Sequence, residues 1–175
     1  MGKLTQRSAL LAGSFDPFTF GHLSLVQRGV ALFDRIVIGV GSNPAKNYLL
    51  DFKQRVEVIK QCVAQEIPQF KNRVDVLPFD GLLVHFCQRN QVCAILRGLR
   101  GAQDLGFEQQ LAWANYDMAP DIETVFLLSE TQHLFISSSL CKEIHLNGGD
   151  VKSYLPTASF SAFSAAFSED IKNEK

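Results

Sequence analysis

Apolar positions fall into two rhythms along this chain. Short, near-continuous runs at Ser8 to Ala12, Arg35 to Gly41, Val74 to Phe79, Ala94 to Leu96 and Thr124 to Leu128 predict strands covered on both faces. Between them, apolar residues recur every three or four positions. Leu23, Val26, Val30 and Phe33 mark a first helix that starts near Gly21 or His22. Val56, Ile59, Cys62 and Val63 mark a second, with Asp51 as its N-cap. Leu82, Leu83, Phe86 and Cys87 line one face of a third, ending near Asn90. A fourth runs from about Asp104 to Met118, with Pro120 as a stop, and Ser137-Ser138-Ser139 stands where an N-cap belongs for Leu140 to Leu146.

Strands alternating with helices predict an α/β fold, a Rossmann-like parallel five-stranded sheet with helices on both faces, in a single domain. That domain spans residues 1–156. In the remaining 157–175, Phe160, Phe163 and Phe167 predict a docked amphipathic helix to about Phe167, then a disordered end. Parallel sheets of this kind bind ligands at the carboxyl ends of their strands, near the point where strand order reverses. The polar loops after strands one, two, four and five carry Ser14 with His22, Lys46, Arg97 with Arg100, and the Ser137–Ser139 cluster. All four are therefore expected on one edge of the sheet.

Composition narrows the classes. With 46% apolar and 20% charged residues and a net charge of −1, the chain offers no broad basic surface for nucleic acid. No apolar run approaches the ~18 residues of a membrane span, and Met1 to Arg7 lacks the apolar core of a signal peptide, so a cytoplasmic protein is expected. Cys62, Cys87, Cys93 and Cys141 form no C-x-x-C pair and lie in apolar runs, which predicts buried thiols rather than a metal site or disulfides.

The chemistry concentrates in Gly13-Ser14-Phe15-Asp16-Pro17-Phe18-Thr19-Phe20-Gly21-His22, a turn between a strand and a helix start. Amides at a helix start and the helix dipole favour an anion there, and Gly21 lets a ligand approach the backbone. The run lacks both G-x-G-x-x-G and G-x-x-x-x-G-K-[ST], which counts against a hydride-transfer enzyme and a P-loop ATPase. His22 by itself is better read as a solvated histidine at a helix N-terminus; Gly13, Asp16 and Pro17 beside it reverse that in favour of function. Lys46 is either a surface lysine or a point charge for a phosphate. Arg97 ends a buried strand and needs an anion, either a protein carboxylate or a substrate phosphate, the latter being favoured. Arg100 and Glu108 are readable as an ion pair or an intersubunit contact, and the serine cluster as a helix cap. His85 and His145 are read as structural.

GSFDPFTFGH resembles the signature of the nucleotidylyltransferase superfamily, whose members carry a His-x-Gly-His or Thr-x-Gly-His core. Lys46 after Ser42-x-Pro44, Arg97-Gly98-Leu99-Arg100, Asp104 with Glu108, Phe135-Ile136-Ser137-Ser138-Ser139 and Gly149-Asp150-Val151 are similar to bacterial phosphopantetheine adenylyltransferases, from about Ala9 to Pro156. Two positions depart from that pattern. Phe20 stands where the family usually has Asn, and His133 where many members have an aromatic residue.

The resemblance implies transfer of the adenylyl group of ATP to 4′-phosphopantetheine, giving dephospho-coenzyme A and pyrophosphate, the penultimate step of coenzyme A synthesis. His22, Lys46 and Arg97 would be catalytic. ATP would be held by Ser14, Phe15, His22, Gly98, Leu99, Arg100, Glu108 and the run His133, Leu134, Phe135, Ile136, Ser137, Ser138, Ser139. Ser14, Lys46, Leu83 and Arg97 would hold the second substrate. The resemblance also implies Mg2+ carried on ATP without a protein cage, and a homohexamer. Two rivals stand beside it: a nucleotidylyltransferase for nicotinate mononucleotide or for an alcohol phosphate with CTP, and a non-catalytic nucleotide-binding regulator.

Overall fold

The computed structural model of the protein describes residues 6–42 and 46–173. Asn43-Pro44-Ala45 of the loop expected after the second strand lie outside the described residues, as do the first five and the last two of the chain. In chain order the elements are β1 (Ser8–Gly13), α1 (Phe20–Leu32), β2 (Arg35–Gly41), α2 (Phe52–Glu66), β3 (Val74–Phe79), α3 (Leu83–Arg89), β4 (Ala94–Leu99), α4 (Ala102–Met118), β5 (Glu123–Leu128), α5 (Ser138–Leu146) and α6 (Thr157–Asn173).

The five strands pair in parallel in the order β3-β2-β1-β4-β5, so the chain reverses its direction of travel across the sheet between β1 and β4. Leu10 of β1 sits in register with Val37 of β2 and Ile95 of β4. Alternate strand residues serve opposite faces, as the two-residue period of a strand requires. Ala9, Leu11, Ile36, Ile38 and Leu96 pack with Val26 of α1 and Ile59 and Cys62 of α2. Leu10, Val37 and Ile95 pack on the other face with Val84, Phe86 and Cys87 of α3. A third cluster joins Ile136 and Cys141 to Val151, Leu155 and Phe163 of α6. The expected α/β sheet with helices on both faces is the fold.

Differences from the sequence expectations have local causes. β4 continues through Leu99, because Arg97, Gly98 and Leu99 stay in register with Phe126, Leu127 and Leu128 of β5. Gly98 is fixed by packing: a Cβ there would lie 2.6 Å from a Leu25 methyl of α1. Leu82 precedes α3 and is exposed rather than lining its buried face. Cys93 is exposed, with its thiol donating to the Ser8 carbonyl, so it is not one of the buried thiols; Cys62, Cys87 and Cys141 are. Phe20, without an obvious role in the sequence, packs its ring against the main core from the first position of α1. α6 runs to Asn173, past Phe167, and packs against α2, with Ala158 in the main core. Among the described residues, no helix is long and apolar enough to cross a membrane.

Candidate active site

The β1–α1 loop is built from close approaches. Phe15 occupies the left-handed region at φ 51°, a conformation that costs a non-glycine residue about 1 kcal/mol or more. Its ring lies against Gly13, where a Cβ would come within 3.0 Å of it. Gly13 is thus kept small by the ring beside it. The Asp16–Pro17 peptide is cis. Thr19 then caps α1 reciprocally with His22. The Thr19 hydroxyl accepts from the His22 amide at 3.3 Å, and His22 Nδ1 accepts from the Thr19 amide at 3.0 Å.

That cap decides the chemistry of His22. With Nδ1 accepting from an amide, the neutral ring carries its proton on Nε2. The ring stacks on Phe18, centroids 5.5 Å apart, and meets the edge of Phe15 at 5.0 Å. Burial, and secondarily the Arg100 guanidinium, lower its pKa from 6.5 to about 4. At neutral pH His22 is therefore a fixed hydrogen-bond donor and not a source of protons. Gly21 beside it has a different reason from Gly13. A Cβ there would meet nothing in the protein closer than 3.5 Å, so packing leaves the space in front of it open to the cleft.

The cleft has a volume of about 610 Å3 at the carboxyl ends of the strands. Ser14, Phe15 and His22 from the first loop, Lys46 after β2, Arg97, Gly98 and Arg100 from β4 and beyond, and His133, Ile136, Ser137, Ser138 and Ser139 before and at the start of α5 all line it. The four loops meet on one edge. Leu83, Leu99, Glu108, Leu134 and Phe135 do not line the cleft. Leu83 packs against the second core cluster at the start of α3, and Leu99 is buried in β4. Leu134 and Phe135 are exposed, Phe135 with its ring edge-on to Tyr154.

Glu108 reaches the site through Arg97. Arg97 donates from Nε to Glu108 Oε2 at 2.7 Å and from Nη2 to Oε1, a bidentate pair, and from Nη1 to the Ala12 carbonyl at 3.2 Å. A protein carboxylate therefore accompanies this strand-end arginine, which also lines the cleft. Arg100 pairs with Asp104, not with Glu108, and this contact holds the Asp104 carboxyl below its usual range. The serines are divided in labour. The Ser137 hydroxyl accepts from the Leu140 amide as the N-cap of α5, the Ser138 hydroxyl donates to the Pro17 carbonyl at 2.7 Å, and Ser139 is exposed on the cleft.

Arg55 and Lys142, and the partners of Asp16, hold the site together and were not identified from the sequence. Buried Asp16 accepts from the Leu49 and Leu50 amides, both at 2.9 Å, and from Lys142 Nζ at 3.0 Å, tying the first loop to the segment after Lys46 and to α5. Lys142 also lines the cleft. Arg55 of α2 is 1% exposed and donates to the Ser14 carbonyl at 2.7 Å and the Gly41 carbonyl at 2.8 Å, with Tyr48 4.0 Å over its guanidinium. Its signal was readable, since Phe52, Arg55, Ile59 and Cys62 share one helical stripe. Nothing in sequence links Asp16 to Lys142, 126 positions apart. Among the described residues, no three His, Cys, Asp or Glu side chains gather to hold a metal ion, and the cleft carboxylate Asp16 already accepts from three donors.

A family model described as cytidylyltransferase-like matches residues 10–144. A phosphopantetheine adenylyltransferase of Prochlorococcus marinus (strain MIT 9303) is 45% identical over 148 residues, 85% of this chain and 91% of that protein. One of Xylella fastidiosa (strain 9a5c) is 41% identical over 158 residues, 90% of this chain and 94% of its own. Among solved structures, Plasmodium falciparum nicotinic acid mononucleotide adenylyltransferase complexed with APC shares the fold. Its TM-score is 0.65 at 14% identity, over 91% of this chain and 95% of that one.

Proposed function

We propose that this chain, which belongs to the phosphopantetheine adenylyltransferases within the cytidylyltransferase-like family, transfers the adenylyl group of ATP to 4′-phosphopantetheine, giving dephospho-coenzyme A and pyrophosphate. The observation that carries the reading is the meeting of donors from four strand-end loops around one neutral imidazole. A phosphate monoester is already an anion at pH 7, so no nucleophile has to be generated. Its oxygen attacks the α-phosphorus of ATP, the bond from that phosphorus to the bridging oxygen breaks, and pyrophosphate leaves with the electron pair. What remains for the protein is to position two anions and stabilise charge as it develops.

His22 Nε2–H is the donor for the α-phosphate, fixed by Thr19 behind it and by two aromatic rings beside it. Ser14 and the amides at the start of α1 face the same phosphate, and Lys46 holds the phosphate of the acceptor. Arg97 can share its remaining N–H groups with that phosphate while Glu108 keeps its plane fixed. Magnesium fits this donor set only as an ion carried on ATP phosphates and water, because the cleft offers it no uncommitted carboxylate. Leu83 would meet the pantetheine arm only where that arm runs out of the cleft past the ends of β2 and β3. The assembly implied by the family, a homohexamer, is supported by α4, whose exposed Phe107, Trp113 and Tyr116 fit a contact between copies.

The deciding experiment mixes the protein with ATP and 4′-phosphopantetheine and follows pyrophosphate. Release is expected with this pair and not with nicotinate mononucleotide, nor with CTP and an alcohol phosphate. Folded protein that releases none with the first pair overturns the proposal.

A further inference from the structure

We propose that Ser159 of α6 is a positioning residue for adenylyl transfer: its hydroxyl holds the Phe18 carbonyl, and so the Phe18 ring on which His22 is stacked. This rests on His22 as the α-phosphate donor. It makes the C-terminal helix, beyond the residues 10–144 that match the family, part of the working site.

The serines of α6 supply the first argument. A serine inside a helix commonly turns its hydroxyl back to the carbonyl four residues earlier. Ser161 does so to Thr157 at 3.0 Å and Ser168 to Ser164 at 2.9 Å. Ser159, in the first turn where the carbonyl four residues back lies outside the helix, donates to the Phe18 carbonyl at 2.6 Å, 141 positions away in the chain, and is 0% exposed. A buried hydroxyl costs stability unless it is bonded, and for filling space beside Ala158 an alanine would serve. The hydroxyl is explained by the carbonyl it meets.

That carbonyl is the second argument. Phe18 immediately precedes the N-cap Thr19, so its carbonyl lies outside the α1 hydrogen-bond ladder, in a residue that is fully buried. The preceding carbonyl, Pro17, is taken by Ser138 of α5. Two consecutive carbonyls of one loop are thus gripped by serines from two helices. Ser159 is itself anchored, because its backbone amide donates to the Cys62 sulfur of α2. From Phe18 the route to the chemistry is a single contact, the 27° stack on His22.

The test compares Ser159→Ala, Ser159→Thr and Ser161→Ala in the full chain. It reads kcat, both KM values and the NMR pH titration of the His22 ring. Ser159→Ala is expected to lower kcat about tenfold, short of the ~10² that a 1 Å misplacement can cost. Both KM values should stay within about twofold, since only the donor is displaced. The His22 midpoint should rise from about 4 toward 6.5 as the ring loosens. Ser159→Thr, which keeps the hydroxyl, should restore kcat, and Ser161→Ala should change nothing. Wild-type kcat in Ser159→Ala, or a fall in kcat with the His22 titration unmoved, overturns the proposal. If Ser159→Ala does not fold, Phe18→Leu tests the same stack and should give the same paired change; wild-type values there overturn it. Should the unaltered protein release no pyrophosphate, the adenylyl-transfer reading fails instead. The His22 titration still judges the hold of Ser159 on His22.

Discussion

The β1–α1 loop and helix α4 are both rich in aromatic residues, and they use them in opposite ways. In the loop, Phe15 and Phe18 are turned inward onto His22, and the loop carbonyls of Ser14, Pro17 and Phe18 are each matched to a donor elsewhere in the chain. α4 is 17 residues long with only Asn115 buried, and it leaves Phe107, Trp113, Tyr116 and Met118 in the open. Large apolar side chains exposed all round one helix invite a covering surface. One region is closed by this chain; the other is left open by it. The two are joined through Glu108 and Asp104 of α4, which pair with Arg97 and Arg100 of the cleft.

The sharpest way to break that contrast is to remove the donor on which the loop converges. His22→Ala should lower kcat by ~10²–10³, the usual cost of one lost transition-state donor, with the ATP dissociation constant changed only a few-fold. Parallel pyrophosphate-release and calorimetric titrations check it, and an unchanged kcat removes His22 from the mechanism.

The next largest effect is on stability. His22 has its pKa lowered in the folded chain, to about 4 from 6.5, so between those values the unfolded chain binds more protons. Its contribution is present in full above pH 6.5 and is lost as pH falls toward 4, about 3 kcal/mol over the whole span. The Asp104 carboxylate, also lowered, loses its contribution only below the ordinary carboxylate range, so the windows separate. Urea unfolding at a series of pH values should show the upper step in the wild type and not in His22→Gln. Equal slopes in both would deny His22 this role.

On the other side of the comparison, Trp113→Glu should lower the assembly mass in sedimentation while pyrophosphate release per chain stays within about twofold. A variant whose mass is unchanged would show that copies do not meet on this face of α4. The smallest expected effect sharpens the loop itself. Gly21→Ala lies in the first turn of α1 and should stabilise the fold slightly, by up to about 1 kcal/mol. It should nonetheless raise the KM for ATP, because the new methyl faces the cleft and not the core. Thermal melts and initial rates measured together test whether the two move in opposite directions.

Much of this was legible in the residues. Alternating apolar runs and helical stripes locate all five strands, because a sheet covered on both faces leaves little room for polar residues. Asp51 and Ser137 could be recognised as N-caps since capping is local chemistry. The edge on which Ser14, His22, Lys46, Arg97 and the serines meet follows from topology alone. The pairings within that edge were not legible. Arg97 chooses Glu108 eleven positions on, Asp16 chooses Lys142, and Ser159 chooses Phe18. Each is settled by which side chains the completed fold brings within 3 Å, which residue type and spacing do not encode. Glu108, which the resemblance assigns to ATP, pairs with Arg97, a contact that its spacing does not announce.

The pairing of Arg97 with Glu108, Arg100 with Asp104 and Lys142 with Asp16 has a kinetic consequence. Among the described residues four cations line the cleft, and three of them already sit beside a carboxylate, so the bare opening projects only a weak field into solvent. Long-range steering, and with it a strong dependence of the encounter rate on ionic strength, is therefore largely given up. A polyphosphate is recognised here at contact, by how its oxygens match donors already held in place.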